Sequence, residues 1–399
     1  MKYALLIGDG MADEPIAELG GKTPLEYAKT PNMDTIASSG GDLGLFKSVP
    51  DGFPPGSDVA NMSILGYDPA EYYSGRAPLE AASIGVKLSS EDVAFRCNMV
   101  SIGGSADAEV MADYSAGHIS TEEGTALIEA LNKHLSSDEI RFYPGKSYRH
   151  LMVWKGGKDK LVTIPPHDAS DKEIKEYLPK GEGAEVILSL MAKSRDIFKG
   201  HPVNAERAKS GKKTADSIWL WGQGKAPKMP TMKEKYGLDG AIISAVDLMN
   251  GLGIYAGLEV IKVPGITGYL DTDYAAKVQY ALKALETKDF VCVHVEAPDE
   301  AGHQGNLKDK IQAIEDFDAK VVGPVMQGLK RYFEHKVMVV TDHPTPVALK
   351  THTAAPVPYA MYSWPPSERR ALAFNEKDAK KTGLLKRAPG ELMTLLFRA

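Results

Sequence analysis

Apolar positions along this chain alternate between two patterns. Short continuous apolar runs predict strands, and stretches with apolar residues every three to four positions predict helices. The chain opens on an apolar run, residues 3–7, halted by Gly8-Asp9-Gly10. Thr23-Pro24-Leu25-Glu26 then has the form of a helix start. Thr23 is the cap, Pro24 sits where its missing N–H costs nothing, and Glu26 closes a capping box. Thr30-Pro31 predicts a second helix, ended by Gly40. Apolar runs return late, at residues 217–221, 240–246, 290–295 and 336–340, with helical spacing over 275–285 and 308–329. Unbroken Val/Ile-rich runs alternating with amphipathic helices predict an α/β core with a mostly parallel sheet between helices.

The middle of the chain departs from that rhythm. Strand-like stretches at 95–102, 151–154 and 161–164 mix with helical patterns at 121–135 and 185–198, the first begun by Ser120-Thr121-Glu122-Glu123. This predicts a smaller α+β domain, residues 81–214, inserted into a discontinuous core of residues 1–80 and 215–399. The chain is expected to cross between them near Ser74-Gly75 and residues 211–214. No repeat of 20 to 50 residues is present.

Composition narrows the function classes. The 399 residues carry 47 Lys and Arg against 53 Asp and Glu, a net charge of -6, so no global basic field for nucleic acid exists. The two cysteines, Cys97 and Cys292, form no CxxC unit, which argues against a disulfide scaffold and a thiolate zinc site. No apolar run approaches the ~18 residues of a membrane span, and the opening run is too short for a signal peptide, so the expectation is a cytoplasmic protein.

Three apolar runs end in acidic groups or acid–histidine pairs: Asp9, then Asp299 with His303, then Asp342-His343. Open α/β sheets bind ligands at the carboxyl ends of their strands, where residues far apart in sequence converge. Asp299 and His303 have i,i+4 spacing, which on a helix puts carboxylate and imidazole on one face. Asp342 and His343 are neighbours whose side chains diverge, so two adjacent metals could take one each. His352 adds an imidazole from a polar loop. Singly, each such residue is more often a helix cap or a surface histidine; His294, inside its apolar run, reads as core. Ser57 follows a turn-rich Gly52–Gly56 stretch and opens a helical pattern, 57–65. It is either a plain N-cap or, beside metals, a nucleophile.

These stretches together resemble the archaeal-type cofactor-independent phosphoglycerate mutases of the alkaline phosphatase superfamily. The resemblance is carried by Gly8-Asp9-Gly10-Met11-Ala12-Asp13, Pro55-Gly56-Ser57-Asp58-Val59-Ala60-Asn61 and Ser74-Gly75-Arg76-Ala77-Pro78. Tyr114-Ser115-Ala116-Gly117-His118, Ser147-Tyr148-Arg149-His150 and Trp219-Leu220-Trp221-Gly222-Gln223-Gly224 extend it, with Pro298-Asp299-Glu300-Ala301-Gly302-His303, Thr341-Asp342-His343 and Thr351-His352-Thr353.

The resemblance implies an alkaline-phosphatase-like core and two divalent metal ions, Mn²⁺ by expectation, with Zn²⁺, Co²⁺ or Mg²⁺ as substitutes. One ion would be held by Asp299, His303 and His352, the other by Asp9, Ser57, Asp342 and His343. Ser57 would be the nucleophile and His118 the proton carrier. The inserted domain would cover the site and hold a phosphorylated small molecule through Arg76, His118, Arg149, His150, Asn204 and Arg207. His167-Asp168 reads as a turn. The implied reaction interconverts 3-phosphoglycerate and 2-phosphoglycerate, with no nucleic acid or membrane partner. A homoserine kinase-like phosphotransferase or a metal-dependent phosphatase is the alternative use of the same site, and a metal-binding scaffold without turnover the non-enzymatic one.

Overall fold

The computed structural model describes residues 1–39, 42–105, 108–366 and 371–398. The chain divides into two compact units: Met1–Tyr73 with Lys228–Ala399, and Ser74–Pro227. It opens with β1 (Lys2–Gly8) and β2 (Leu43–Phe46) in the first unit. The second unit contributes β3 (Val93–Ser105), β4 (Ala108–Asp113), β5 (Ile140–Tyr143), β6 (Arg149–Trp154) and β7 (Ser217–Lys225). The chain then returns with β8 (Gly240–Ile243), β9 (Glu259–Val260), β10 (Phe290–Val295), β11 (His335–Val340), β12 (Val357–Trp364) and β13 (Leu385–Lys386).

In the first unit the strand order is β13-β2-β12-β11-β1-β10-β8-β9. The run from β11 through β9 is parallel, and β12 is antiparallel to both its neighbours. Ala4, Leu5, Leu6 and Ile7 of β1 are fully buried, as a strand between two parallel neighbours requires. Ile7 pairs with His294 on one side and Val340 on the other. That register sets the carboxyl end of β1 beside those of β10 and β11, although β1 ends at Gly8 and the other two begin at Phe290 and His335.

Two helices differ from expectation for a shared reason. The long pattern over 308–329 becomes Leu307–Phe317, a π turn Asp318–Val322, and Gly323–Leu329. At that turn the Asp318 carboxylate accepts from the backbone N–H groups of Asn32 (3.2 Å) and Met33 (2.7 Å), the opening turn of the helix Pro31–Ser38. Thr30 makes no cap hydrogen bond; a carboxylate from a distant helix replaces it. Gly40 lies outside the described residues. The capping boxes at Thr23/Glu26 and Ser120/Glu123 are both formed, the second opening the helix Thr121–Leu135.

The second unit is an antiparallel sheet, β4-β3-β6-β5, with β7 also paired to β3. This corrects the placement of residues 217–221 in the core sheet. Asn98, Cys97 and Arg96 register with Trp219, Leu220 and Trp221, so the run closes the inserted unit. The unit therefore extends from Ser74 to Pro227, beyond the expected 81–214, and residues 211–214 lie inside it. Residues 161–164 form no strand; Val162 makes one isolated bridge to Lys180. Phe95, Cys97, Met99, Trp219 and the helices over Leu127, Ile128 and Ile187 form its apolar core. Among the described residues no helix is long and apolar enough to cross a membrane.

Candidate active site

Every proposed metal-site residue lies in the first unit, at the carboxyl edge of β1, β10 and β11. Asp9 follows β1. The helix Ala297–Gln304 begins two residues after β10 and carries Asp299 and His303 one turn apart, their Oδ2 and Nε2 atoms separated by 3.3 Å. Asp342 and His343 follow β11, and the loop beyond them brings His352 Nε2 to 3.4 Å from Asp299 Oδ1 and 2.8 Å from His303 Nε2. His343 Nε2 lies 3.6 Å from Asp9 Oδ1 and 3.4 Å from Asp342 Oδ2. The ligand atoms form two groups, Asp299/His343/His352 and Asp9/Asp342/His343, with His343 common to both.

Ser57 completes this cluster. The helix Ser57–Ile64 has Gly56 at its N-cap with no side-chain cap bond, so Ser57 is not a plain cap. Its Oγ instead lies 3.0 Å from His343 Nε2. Asn61, one turn on, uses its Nδ2 to bridge the Ser57 carbonyl (2.8 Å) and Asp342 Oδ2 (2.9 Å), tying the nucleophile's turn to the carboxylate. Asp342 Oδ1 accepts from the N–H groups of Gly10 and His343.

Crowding governs the electrostatics. Burial, with the Asp342 and Asp299 charges adding to it, raises the Asp9 pKa well above the usual carboxylate range. Asp299 is also buried, but hydrogen bonds from His303 and His352 outweigh the loss of solvent and hold its carboxyl well below that range. Burial lowers the His343 pKa, so its imidazole is neutral. Three buried carboxylates beside imidazole nitrogens, with no thiolate, form a donor set suited to divalent cations. Asp9 Oδ1 fits that reading: it is buried and has no hydrogen-bond partner.

The second unit places its expected residues in two ways. Arg149 is exposed and lies over the Tyr148 ring (5.4 Å), which also meets His118 (6.1 Å). Arg76 binds Glu80 at 2.9 Å, and Glu80 is shared at 2.9 Å with Arg96, which stacks on Trp221 at 4.4 Å. A line of edge-on rings, Tyr148–Tyr114–His167–Trp221, connects these arginines, with His167 in the short turn Pro166–Ala169. Arg207, Asn204 and His150 are instead buried. The Arg207 guanidinium is bound by Glu123 (2.6 Å) and by the carbonyls of Ala116 (2.6 Å) and Lys213 (2.8 Å). Asn204 is engaged by the backbone of Phe198 and Ala215, and His150 Nδ1 accepts from the Gly145 N–H. Arg207 thereby holds the loop that leads to His118, while Asn204 and His150 fix backbone elsewhere in the second unit.

Comparison with known proteins identifies the architecture. A family profile described as 2,3-bisphosphoglycerate-independent phosphoglycerate mutase matches residues 38–204. A probable 2,3-bisphosphoglycerate-independent phosphoglycerate mutase from Geobacter sulfurreducens is 55% identical over 398 residues, covering 100% of both chains. The chain belongs to the 2,3-bisphosphoglycerate-independent phosphoglycerate mutase family. A second member of this family, from Methanosarcina acetivorans, is 53% identical over 96% of each chain. Among solved structures, a Pyrococcus horikoshii protein matches with a TM-score of 0.82 at 29% identity, covering 99% of this chain and 96% of that one. The cofactor-independent phosphoglycerate mutase of Thermoplasma acidophilum matches with 0.67 at 26% identity, covering 100% and 99%.

Within this mutase family member, sequence reasoning passed over His294. It is fully buried, as a core residue would be, yet its Nε2 lies 3.1 Å from Asp9 Oδ2 and its Nδ1 lies 3.1 Å from the Ser244 hydroxyl. Burial lowers its pKa to about 4, so it faces Asp9 as a neutral ring. A polar residue inside a strand that ends at a candidate ligand was the available signal. Arg96 was hidden in the same way, within β3.

Proposed function

We propose that this chain is a cytoplasmic enzyme of glycolysis and gluconeogenesis that interconverts 3-phosphoglycerate and 2-phosphoglycerate through a phosphoserine at Ser57. The observation that carries this reading is the serine itself. Its hydroxyl sits on the first turn of a helix, is not used as a cap, and lies 3.0 Å from His343 among buried carboxylates. Asp299, His303 and His352 would hold one divalent ion and Asp9, Ser57, Asp342 and His343 the other, Mn²⁺ by expectation, with Zn²⁺, Co²⁺ or Mg²⁺ as substitutes. Such ions, when bound, lower the serine hydroxyl's pKa and offset charge on the phosphoryl oxygens.

The chain's own residues supply the rest. The opening turn of the helix Ser57–Ile64 offers N–H groups and a dipole that favour an anion beside Ser57. Ser57 Oγ, its proton already given up to solvent, attacks phosphorus in line as an alkoxide; its bond to phosphorus forms as the bond to the glycerate oxygen breaks. That oxygen takes a proton, which we assign to His118. The glycerate's other hydroxyl then attacks the phosphoserine, Ser57 Oγ leaves, and the proton returns. Two inversions at phosphorus give net retention. Arg149 and Arg76 are assigned to the glycerate's anionic groups, because a planar guanidinium makes paired hydrogen bonds to carboxylate or phosphate. Arg207 is assigned to holding the loop that presents His118, and Asn204 and His150 to fixing the backbone of the same unit.

The test is one assay with two readouts. Mn²⁺-loaded protein given 3-phosphoglycerate is expected to form 2-phosphoglycerate with little free phosphate. Ser57→Ala is expected to form neither, at a stability cost of about 1 kcal/mol for the lost contact to His343. Predominant release of phosphate would replace this reading with a phosphatase, and turnover of homoserine with ATP would replace it with a kinase.

A further inference from the structure

The two groups of ligand atoms share one neighbour that belongs to neither. Thr345 is fully buried, two residues beyond His343. Its Oγ1 hydrogen-bonds to Asp299 Oδ1 and also lies 3.2 Å from His343 Nδ1. A hydroxyl has one proton to give, and the ionised Asp299 carboxylate can only accept. The proton therefore goes to Asp299, and Oγ1 is left to accept from His343, whose Nδ1 must carry hydrogen. That assignment leaves the lone pair on His343 Nε2, the nitrogen 3.0 Å from Ser57 Oγ and near Asp9 and Asp342.

The position of this hydroxyl is fixed from behind. Lys310, also fully buried, donates from Nζ to the Thr345 carbonyl (2.7 Å), to Asp13 Oδ2 (2.8 Å) and to the Ala12 carbonyl (3.2 Å). The Thr345 N–H donates to Ala12 O at 3.2 Å. One ammonium thus joins the loop after β1 to the loop after β11. On the other side, the helix carrying Asp299 and His303 presses close. A Cβ at Gly302 would come within 2.5 Å of the Thr345 carbonyl and 2.9 Å of its Cγ2. Thr345 is clamped between the elements that supply both ligand sets.

We propose that Thr345 is a positioning residue that couples the two ion sites. Its single hydroxyl orients Asp299 for one ion and fixes the tautomer of His343 for the other. Lys310 and the absent side chain at Gly302 hold it in place. The inference rests on the two-ion reading, and its test separates the two.

Thr345→Val keeps the shape and removes the hydroxyl; Thr345→Ser keeps the hydroxyl. Mn²⁺ titration of T345V is expected to show both dissociation constants raised by about 10- to 100-fold, the range for lost outer-shell partners of metal ligands. T345S is expected to recover most of that loss. The second measurement needs no metal. Nitrogen-15 spectra of histidine-labelled, metal-free protein should place the His343 proton on Nδ1 in the wild type and in T345S, and not exclusively there in T345V. Wild-type affinity at either site in T345V, T345S behaving as T345V, or an unchanged His343 tautomer in T345V would each overturn the proposal. A wild-type chain that holds no Mn²⁺ overturns the two-ion reading, while the tautomer spectra still judge the part assigned to Thr345.

Discussion

His303 and Asp299 face each other across one helical turn, and each changes the other's protonation. Burial opposes a charge on His303, but the Asp299 carboxylate outweighs it and raises the His303 pKa to about 9. In metal-free protein His303 is then an imidazolium at neutral pH. Because its folded pKa is raised, the stability it contributes is complete below about 6.5 and is lost as pH rises through about 9. A bound ion requires the neutral ring. Mn²⁺ binding at pH 7 is therefore expected to expel a proton from His303, and the apparent affinity should climb with pH toward 9. His343, already neutral through burial, has none to give. Calorimetry in two buffers of different ionisation enthalpy counts the protons; no release at pH 7 would remove His303 from the ligand set. The sequence made these ligands visible because each follows an apolar run or recurs at helical spacing. Thr345, Asn61 and His294 were not visible, because each acquires its role only from the register that brings distant strand ends together.

Elements are fixed here by both near and remote partners, and only the near ones can be read from sequence. The capping boxes at Thr23 and Ser120 are local and form as the motif predicts. The helix Pro31–Ser38 is capped by Asp318, and the loop before Ser120 is anchored by Arg207, from a helix more than 80 residues later. Arg207→Met would remove the bonds to the Ala116 and Lys213 carbonyls and leave Glu123 without its cation. Breaking such a buried, paired charge typically costs ~3–5 kcal/mol, and the partly exposed Glu123 puts this case at the lower end. The expected result is a lower unfolding temperature with unchanged Mn²⁺ affinity, since the metal ligands all lie in the other unit. Differential scanning calorimetry beside metal titration checks both. The misplaced strand β7 has the same origin: its apolar run suits either sheet, and only pairing with β3 decides.

At the scale of the whole molecule, the chain enters and leaves the second unit through adjoining backbone. The Ser74 hydroxyl donates to the Lys225 carbonyl, and Gly75, at φ +130°, lies so near Gln223 that a Cβ there would sit 2.1 Å from its carbonyl oxygen. With its ends joined, its own apolar core and a length typical of one domain, residues 74–227 expressed alone are expected to fold cooperatively. A single denaturation transition with protected amides in β3 and β6 would show it; a chain with no cooperative transition would refute it.

The first unit has the opposite character, and β1 shows why. Both its neighbours are made much later, β10 from Phe290 and β11 from His335 onward. At roughly 5–20 residues per second, the ribosome leaves residues 3–7 without a sheet for roughly 15–60 s. The inserted segment, finished in the interval, can fold while the apolar strand that precedes it waits. Synthesis order and assembly order are thus inverted: β1 is made long before it is enclosed, and Asp9 meets its fellow ligands only once His352 has been made. A nascent chain stalled before residue 290 would be a folded insert trailing an exposed, aggregation-prone strand, and no product ended before His352 could carry the full set of site residues.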